Sequence, residues 1–223
     1  MTIQQAAVIR IQLFVFNPFQ ENTYVLSDET NDCVIIDPGC YDELEKKELE
    51  DYISNNHLKV QMLLNTHCHI DHILGNDFIK RKYDTKLYLH RTEEFVLNAQ
   101  KILAPHYGFH LYQEAKPDAY LNEGDVVEFG DQKFSVLFVP GHSPGHVAFY
   151  NEKEKVVLAG DVLFENSIGR TDLPGGNHNT LINSIHQKLF TLPDDVTVYP
   201  GHGSETTIGV EKRTNPFCAL TFR

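Results

Sequence analysis

Residues 65–72 read Asn-Thr-His-Cys-His-Ile-Asp-His, so three histidines and an aspartate fall within six positions. Alternate residues of an extended segment point the same way. His67, His69 and Asp71 are therefore expected to face one cavity, with Cys68 and Ile70 turned away and His72 opening the next helix. Imidazole and carboxylate together suit zinc, iron or manganese. Residues of the same kind recur in Pro-Gly-His-Ser-Pro-Gly-His at 140–146, in Gly160-Asp161 and in Pro-Gly-His-Gly at 200–203. His67, His69, His72, His142 and His202, with Asp71 and Asp161, exceed the four ligands of one structural zinc. They match two divalent ions sharing a bridge, zinc first and iron or manganese as alternatives. His142 comes first in its turn, nearest the preceding strand, and is preferred as a ligand over His146, which is expected to pack or to support the ligands. The other six histidines (57, 90, 106, 110, 178 and 186) read as ordinary solvated or hydrogen-bonded side chains.

Such a pair of ions lowers the pKa of a bridging water toward neutrality and stabilises an oxyanion. A thiol of pKa roughly 8.5 leaves as thiolate without a strong general acid, whereas an amide nitrogen needs protonation. This tilts the expected substrate from an amide toward a small-molecule thioester, attacked by a metal-bridging hydroxide, with Asp71 and Asp161 as the candidate catalytic carboxylates.

Each of these segments follows an apolar run. Strands are predicted at 9–16, 23–27 and 33–37, where Asp-Pro-Gly ends the third, and at 60–64, just before the first histidine. Further strands are predicted at 87–89, 126–129, 134–139, 147–150, 156–159 and 196–199. Helical periodicity marks 41–56, with Leu44, Leu49, Tyr52 and Ile53 near one face, and also 73–83, 93–103 and 181–190. Residues 104–124 read as irregular and aromatic, a possible cleft lining, and 161–178 as a glycine-rich loop. Strands interspersed with helices in both halves make the class α/β or α+β.

The 223 residues fit one domain. A net charge of −12, from 19 basic and 31 acidic residues, disfavours nucleic acid as a partner. No apolar run reaches membrane-spanning length, so no membrane partner is expected. The opening segment MTIQQAAVIRIQLFVF lacks the layout of a signal peptide and alternates like a first strand. A cytoplasmic location is expected. Cys33, Cys40, Cys68 and Cys218 match no zinc-knuckle or CxxC spacing and read as buried, reduced thiols. Oligomeric state leaves no mark in the sequence.

HxHxDH at 67–72, His142 in PGHS, Asp161 after Gly160 and His202 in PGHG together resemble the metallo-β-lactamase fold superfamily, in order and over nearly the whole chain. The resemblance implies a four-layer αββα sandwich. It also implies a first metal on His67, His69 and His142, a second on Asp71, His72 and His202, and Asp161 as the bridge. PGHSPGHVAFY at 140–150, GDVLFENSIGRTDLPGG at 160–176 and YPGHGSETTIGVEKRTNPF at 199–217 are most similar to glyoxalase II (hydroxyacylglutathione hydrolase), especially its short bacterial form. That implies an S-lactoylglutathione-type thioester, with Arg170 positioned to hold a glutathione carboxylate. Residues 1–223 are read as one such domain, without the C-terminal helical glutathione-binding domain of the longer enzymes. Persulfide dioxygenases of the same superfamily also carry a stretch like GRTD at 169–172. They use one iron through the equivalents of His67, His142 and Asp161, but usually lack the PGHG form of the last histidine. Hydrolysis of another ester, a lactone or a β-lactam is the other alternative.

Overall fold

The computed structural model describes residues 8–220, so positions 1–7 of the expected alternating segment lie outside the described residues. In chain order the first half carries β1 (Arg10–Phe16), β2 (Glu21–Ser27), β3 (Asp32–Ile36), α1 (Glu43–Asn55), β4 (Lys59–Leu64), α2 (Asn76–Tyr83), β5 (Lys86–His90), α3 (Glu94–Leu103) and β6 (Ala119–Leu121). The second half carries β7 (Val126–Phe129), β8 (Gln132–Phe138), β9 (Val147–Asn151), β10 (Val156–Gly160), the short hairpin β11 (Leu163–Phe164) and β12 (Ser167–Ile168), α4 (His178–Gln187), β13 (Thr197–Pro200), β14 (Thr206–Thr207) and α5 (Ile208–Thr214). One sheet has the order β1-β2-β3-β4-β5-β6 and the other β14-β13-β10-β9-β8-β7.

The layers follow from strand periodicity. Cys33 and Ile35 of β3 pack with Leu49 and Ile53 of α1 and Val96 and Leu97 of α3. Val34 and Ile36, one residue out of step, pack between the sheets against Phe134, Phe149 and Leu158. In the second sheet Val157 and Ala159 of β10 face Leu181 and Ile185 of α4. Both faces of the central strands are covered, which is why they read as continuous apolar runs rather than alternating ones. The result is helix, sheet, sheet, helix: the expected αββα sandwich.

Several local readings are corrected. Leu44 is 80% exposed, so the buried stripe of α1 is Leu49 and Ile53 with Tyr52 at its margin. The helix expected from 73 starts at Asn76, because Ile70–His72 forms a separate 3₁₀ turn. His72 therefore ends a tight turn rather than opening α2. Residues 104–124 are not wholly irregular: they hold a 3₁₀ turn at Ala104–Tyr107 and β6, which extends the first sheet. The loop at 161–178 contains the β11–β12 hairpin, and α4 begins at His178, where the Asn177 side chain caps it. Helix α5 had too short an apolar pattern to be recognised. The four cysteines are free and buried, as expected. Among the described residues no helix is long and apolar enough to cross a membrane.

Strand direction positions the site. Strands β4 and β5 are parallel, as are β10 and β13, while β9 runs antiparallel to both β8 and β10. The carboxyl ends of β8, β10 and β13 thus meet at one edge of the second sheet. The loop after β4 joins them there: the amide of Val147 donates to Thr66 O at 2.9 Å.

Candidate metal centre

Ligand-type atoms of His67, His69 and His142 all lie within 4.8 Å of one another. His69 Nδ1 and His142 Nε2 face each other at 2.8 Å. The opposite nitrogen of His142, Nδ1, lies 2.8 Å from Arg170 O, so Nδ1–H donates and Nε2 keeps its lone pair toward the cluster. His67 is fully buried and stacks on His146, with ring centroids 4.7 Å apart and planes inclined by 17°. Its Nε2 has no hydrogen-bond partner.

Asp71, His72 and His202 form the second set, also within 4.8 Å. His202 Nε2 lies 3.2 Å from Asp71 Oδ2, and its Nδ1 donates toward the carbonyls of Phe19 and Gln20 at 3.1 Å each. Asp161 stands between the sets. Its Oδ1 is 3.5 Å from His72 Nε2, and its Oδ2 is 3.5 Å from His142 Nε2 and 3.6 Å from His202 Nε2. All seven residues expected to hold metal therefore converge.

The charge states divide the two sets. Burial pushes His67 and His142 below the ordinary imidazole value, and His69 down to about 3. That set is neutral and electron-donating. Burial also acts against the charged form of His72, but Asp71 and Asp161 outweigh it and hold the pKa well above its ordinary value. His202 is raised in the same way, against burial, by its hydrogen bond to Asp71 and by Asp161. Burial alone would raise the two aspartates, yet the neighbouring histidines bring both below the usual carboxylate range.

These residues fit a pair of divalent ions. His67 Nε2, His72 Nε2 and Asp161 Oδ1 are buried, point into the cluster and lack a hydrogen-bond partner, and an unsatisfied buried polar atom costs about 1–3 kcal/mol. Donation to a cation removes that cost, and the mixed imidazole and carboxylate donor set suits zinc or iron. Asp37, His67 and His72 also approach one another, but Asp37 is already committed. Its Oδ1 accepts the Thr66 amide at 2.7 Å, and its Oδ2 accepts Thr66 Oγ1 at 2.5 Å with His72 Nδ1 at 3.3 Å. It orients His72 from behind.

Asp37 was legible in the sequence only as the end of a strand. Glu93 was legible only as the start of a helix: its burial and partners come from tertiary packing. Its Oε2 accepts the Cys68 amide at 2.8 Å, and its Oε1 accepts Ser143 Oγ and the Gly145 amide at 2.6 Å each. Asn22 fixes the last ligand turn, its Nδ2 donating to Pro200 O at 3.0 Å and Gly203 O at 2.9 Å. His146 takes the supporting role expected of it, its Nε2 accepting the Asp161 amide at 3.1 Å. Gly201 leaves room for the ligands, since a β-carbon there would collide with Asp161 Oδ1.

Above the centre opens a cleft of about 670 Å³, with His69, Asp71, His142, Asp161 and His202 among its lining residues. Arg170 lies on its wall, where its guanidinium makes a two-point pair with Asp172 at 2.7 and 2.8 Å.

Comparison with known proteins gives the same picture. Residues 16–202 match the family described as the metallo-beta-lactamase superfamily. The chain is similar to the protein named hydroxyacylglutathione hydrolase GloC of Haemophilus influenzae, with 36% identity over 94% of this chain and 98% of that protein. Among solved structures it is similar to BLEG-1 B3 metallo-beta-lactamase, with 38% identity, a TM-score of 0.86, and coverage of 95% of this chain and 100% of that one. It is also similar to TTHA1623 in a di-iron-bound form, with 38% identity, a TM-score of 0.81, and coverage of 92% and 99%.

Proposed function

From the premise that the chain belongs to the metallo-beta-lactamase superfamily, we propose that it is a metal-dependent hydrolase of thioesters, of the hydroxyacylglutathione kind. The observation that carries this reading is the complete second ligand set, Asp71, His72 and His202, joined to the first through Asp161. A one-metal oxygenase has no need of it. The thioester is favoured by the 36% identity to GloC over nearly both chains and by the modest acid demand of a thiolate leaving group.

His67, His69 and His142 would hold one ion and Asp71, His72 and His202 the other, with Asp161 shared. Zinc is the first choice and iron the second, since one similar structure is di-iron-bound. Two ions held there supply Lewis acidity that makes water nucleophilic near neutral pH and balances charge on the carbonyl oxygen. The chain's own groups do the positioning. Asp71 and Asp161 are ionised and line the cleft. In this reading their carboxylates would help hold the ions and set where the entering water sits between the two ligand sets. The Arg170 carbonyl and Asp37 fix the rings of His142 and His72. Buried free thiols are consistent with a reducing compartment, and we place the protein in the cytoplasm.

The test is hydrolysis of S-D-lactoylglutathione by zinc- and iron-loaded protein with dissolved oxygen followed. Thioester cleavage without oxygen uptake is the expected result. Oxygen uptake with glutathione persulfide and no thioester cleavage would move the protein to the oxygenases.

A further inference from the structure

The wall of the cleft is chemically unlike its floor. Helix α3 sets Phe95, Ala99 and Leu103 four residues apart, so they share one face, and all three line the cleft. Phe95 is 65% exposed and Leu103 36%. Tyr107 and Phe19 continue the surface, their rings meeting edge-on at 5.9 Å, and Phe19 in turn meets Phe109 at 5.7 Å. Phe164 and Leu173 also line the cleft. A contiguous apolar surface beside a polar floor marks a ligand site. The wall also has little with which to match glutathione, which carries two carboxylates and an ammonium. Among the described lining residues the one fixed cation is Arg170, and it is paired with Asp172.

We propose that this wall is a subsite for an extended apolar substituent on the thioester, an aliphatic or aromatic group several carbons long. The proposal rests on the thioester reading above. It adds that, within this class, thioesters with an apolar acyl chain are turned over better than S-lactoylglutathione, whose short polar acyl group leaves the wall uncovered. Phe95 and Leu103 are the specificity-determining residues, acting by removing apolar surface from water.

Two measurements test this, each on the zinc-loaded full chain. The first is kcat/KM for N-acetylcysteamine thioesters of acetyl, butyryl, hexanoyl and octanoyl groups, with S-D-lactoylglutathione alongside. We expect about a fourfold rise for each methylene that enters the cleft, with the octanoyl ester exceeding lactoylglutathione. Phe95→Ser and Leu103→Ser should each flatten the series. The second is calorimetric binding of the non-hydrolysable thioethers S-octyl- and S-ethyl-N-acetylcysteamine, with the octyl compound expected to bind at least tenfold tighter and Phe95→Ser to remove the difference. Chain-length dependence in binding with no thioester hydrolysed would overturn the thioester reading and leave the subsite standing. Independence of chain length in both measurements would overturn the subsite, even if lactoylglutathione is cleaved rapidly.

Discussion

The Cys68 amide donates to Glu93 Oε2 at 2.8 Å, between the two histidines that begin the first ligand set. The other oxygen of the same carboxylate accepts from Ser143 and Gly145, just beyond His142. One buried side chain thus ties the loop after β4 to the loop after β8. Hydrogen bonds to a charged group contribute about 1.5–3 kcal/mol. Glu93→Gln, which removes the charge and turns an amide donor toward existing donors, should lower Tm by roughly 3–12 °C in a chain of this size. It should also reduce the metal retained after dialysis. Thermal unfolding and metal analysis of the variant check both, and an unchanged Tm would show that the tie is not needed.

Gly201 carries the converse constraint. Its backbone is not in the left-handed region, so alanine is tolerated by conformation, but the added carbon collides with Asp161 Oδ1. Gly201→Ala should leave the fold intact and weaken binding of the second metal equivalent by tenfold or more. A titration unchanged from that of the parent protein would show that Asp161 yields to the added carbon without loosening the ions.

How much of this was legible beforehand depended on the range of each signal. His67, His69, Asp71 and His72 were readable because their spacing is local and the strand before them is unmistakable. His142, Asp161 and His202 were readable because each follows the end of a strand. Asp37 and Glu93 were not, since a buried acid is defined by what folds around it. Helix α2 starts later than the periodicity predicts because apolar Ile73 and Leu74 mimic helical spacing while the chain is still turning after His72. Helix α5, at seven residues, is too short for a periodic signal.

The carboxylate behind His72 should matter to metal affinity more than to folding. Asp37→Asn keeps the shape but sets an amide against His72 Nδ1 or Thr66 Oγ1, both within reach of Oδ2. Loss of such a partner typically costs metal affinity about 10–100-fold. Competition with a chromophoric chelator measures it. An unchanged constant would mean that the ring of His72 is held by its packing alone.

The two ligand sets should respond differently to pH. In the metal-free protein His67, His69 and His142 have lowered pKa values and are neutral near pH 7, so the first ion need not displace an imidazolium proton. His72 and His202 are raised and hold protons that the second ion must release. Affinity for the second equivalent should therefore fall as pH drops from about 8 to 5, while the first stays nearly level. Calorimetry in buffers of different ionisation enthalpy counts the protons. Equal release at both steps would contradict the assignment.

The ligands of each set come from both sheets: His67 and His69 follow β4, whereas His142 follows β8, and Asp71 and His72 meet a histidine that follows β13. No short stretch of chain can assemble either set. The order of events in folding follows from this. Closing loops this long is entropically unfavourable until other contacts reward it, so the sheets must dock through their apolar faces before an ion finds its full set of donors. An ion that arrives then locks the docked sheets and slows their separation. Metal would act chiefly as a brake on unfolding, and little as a nucleus for folding.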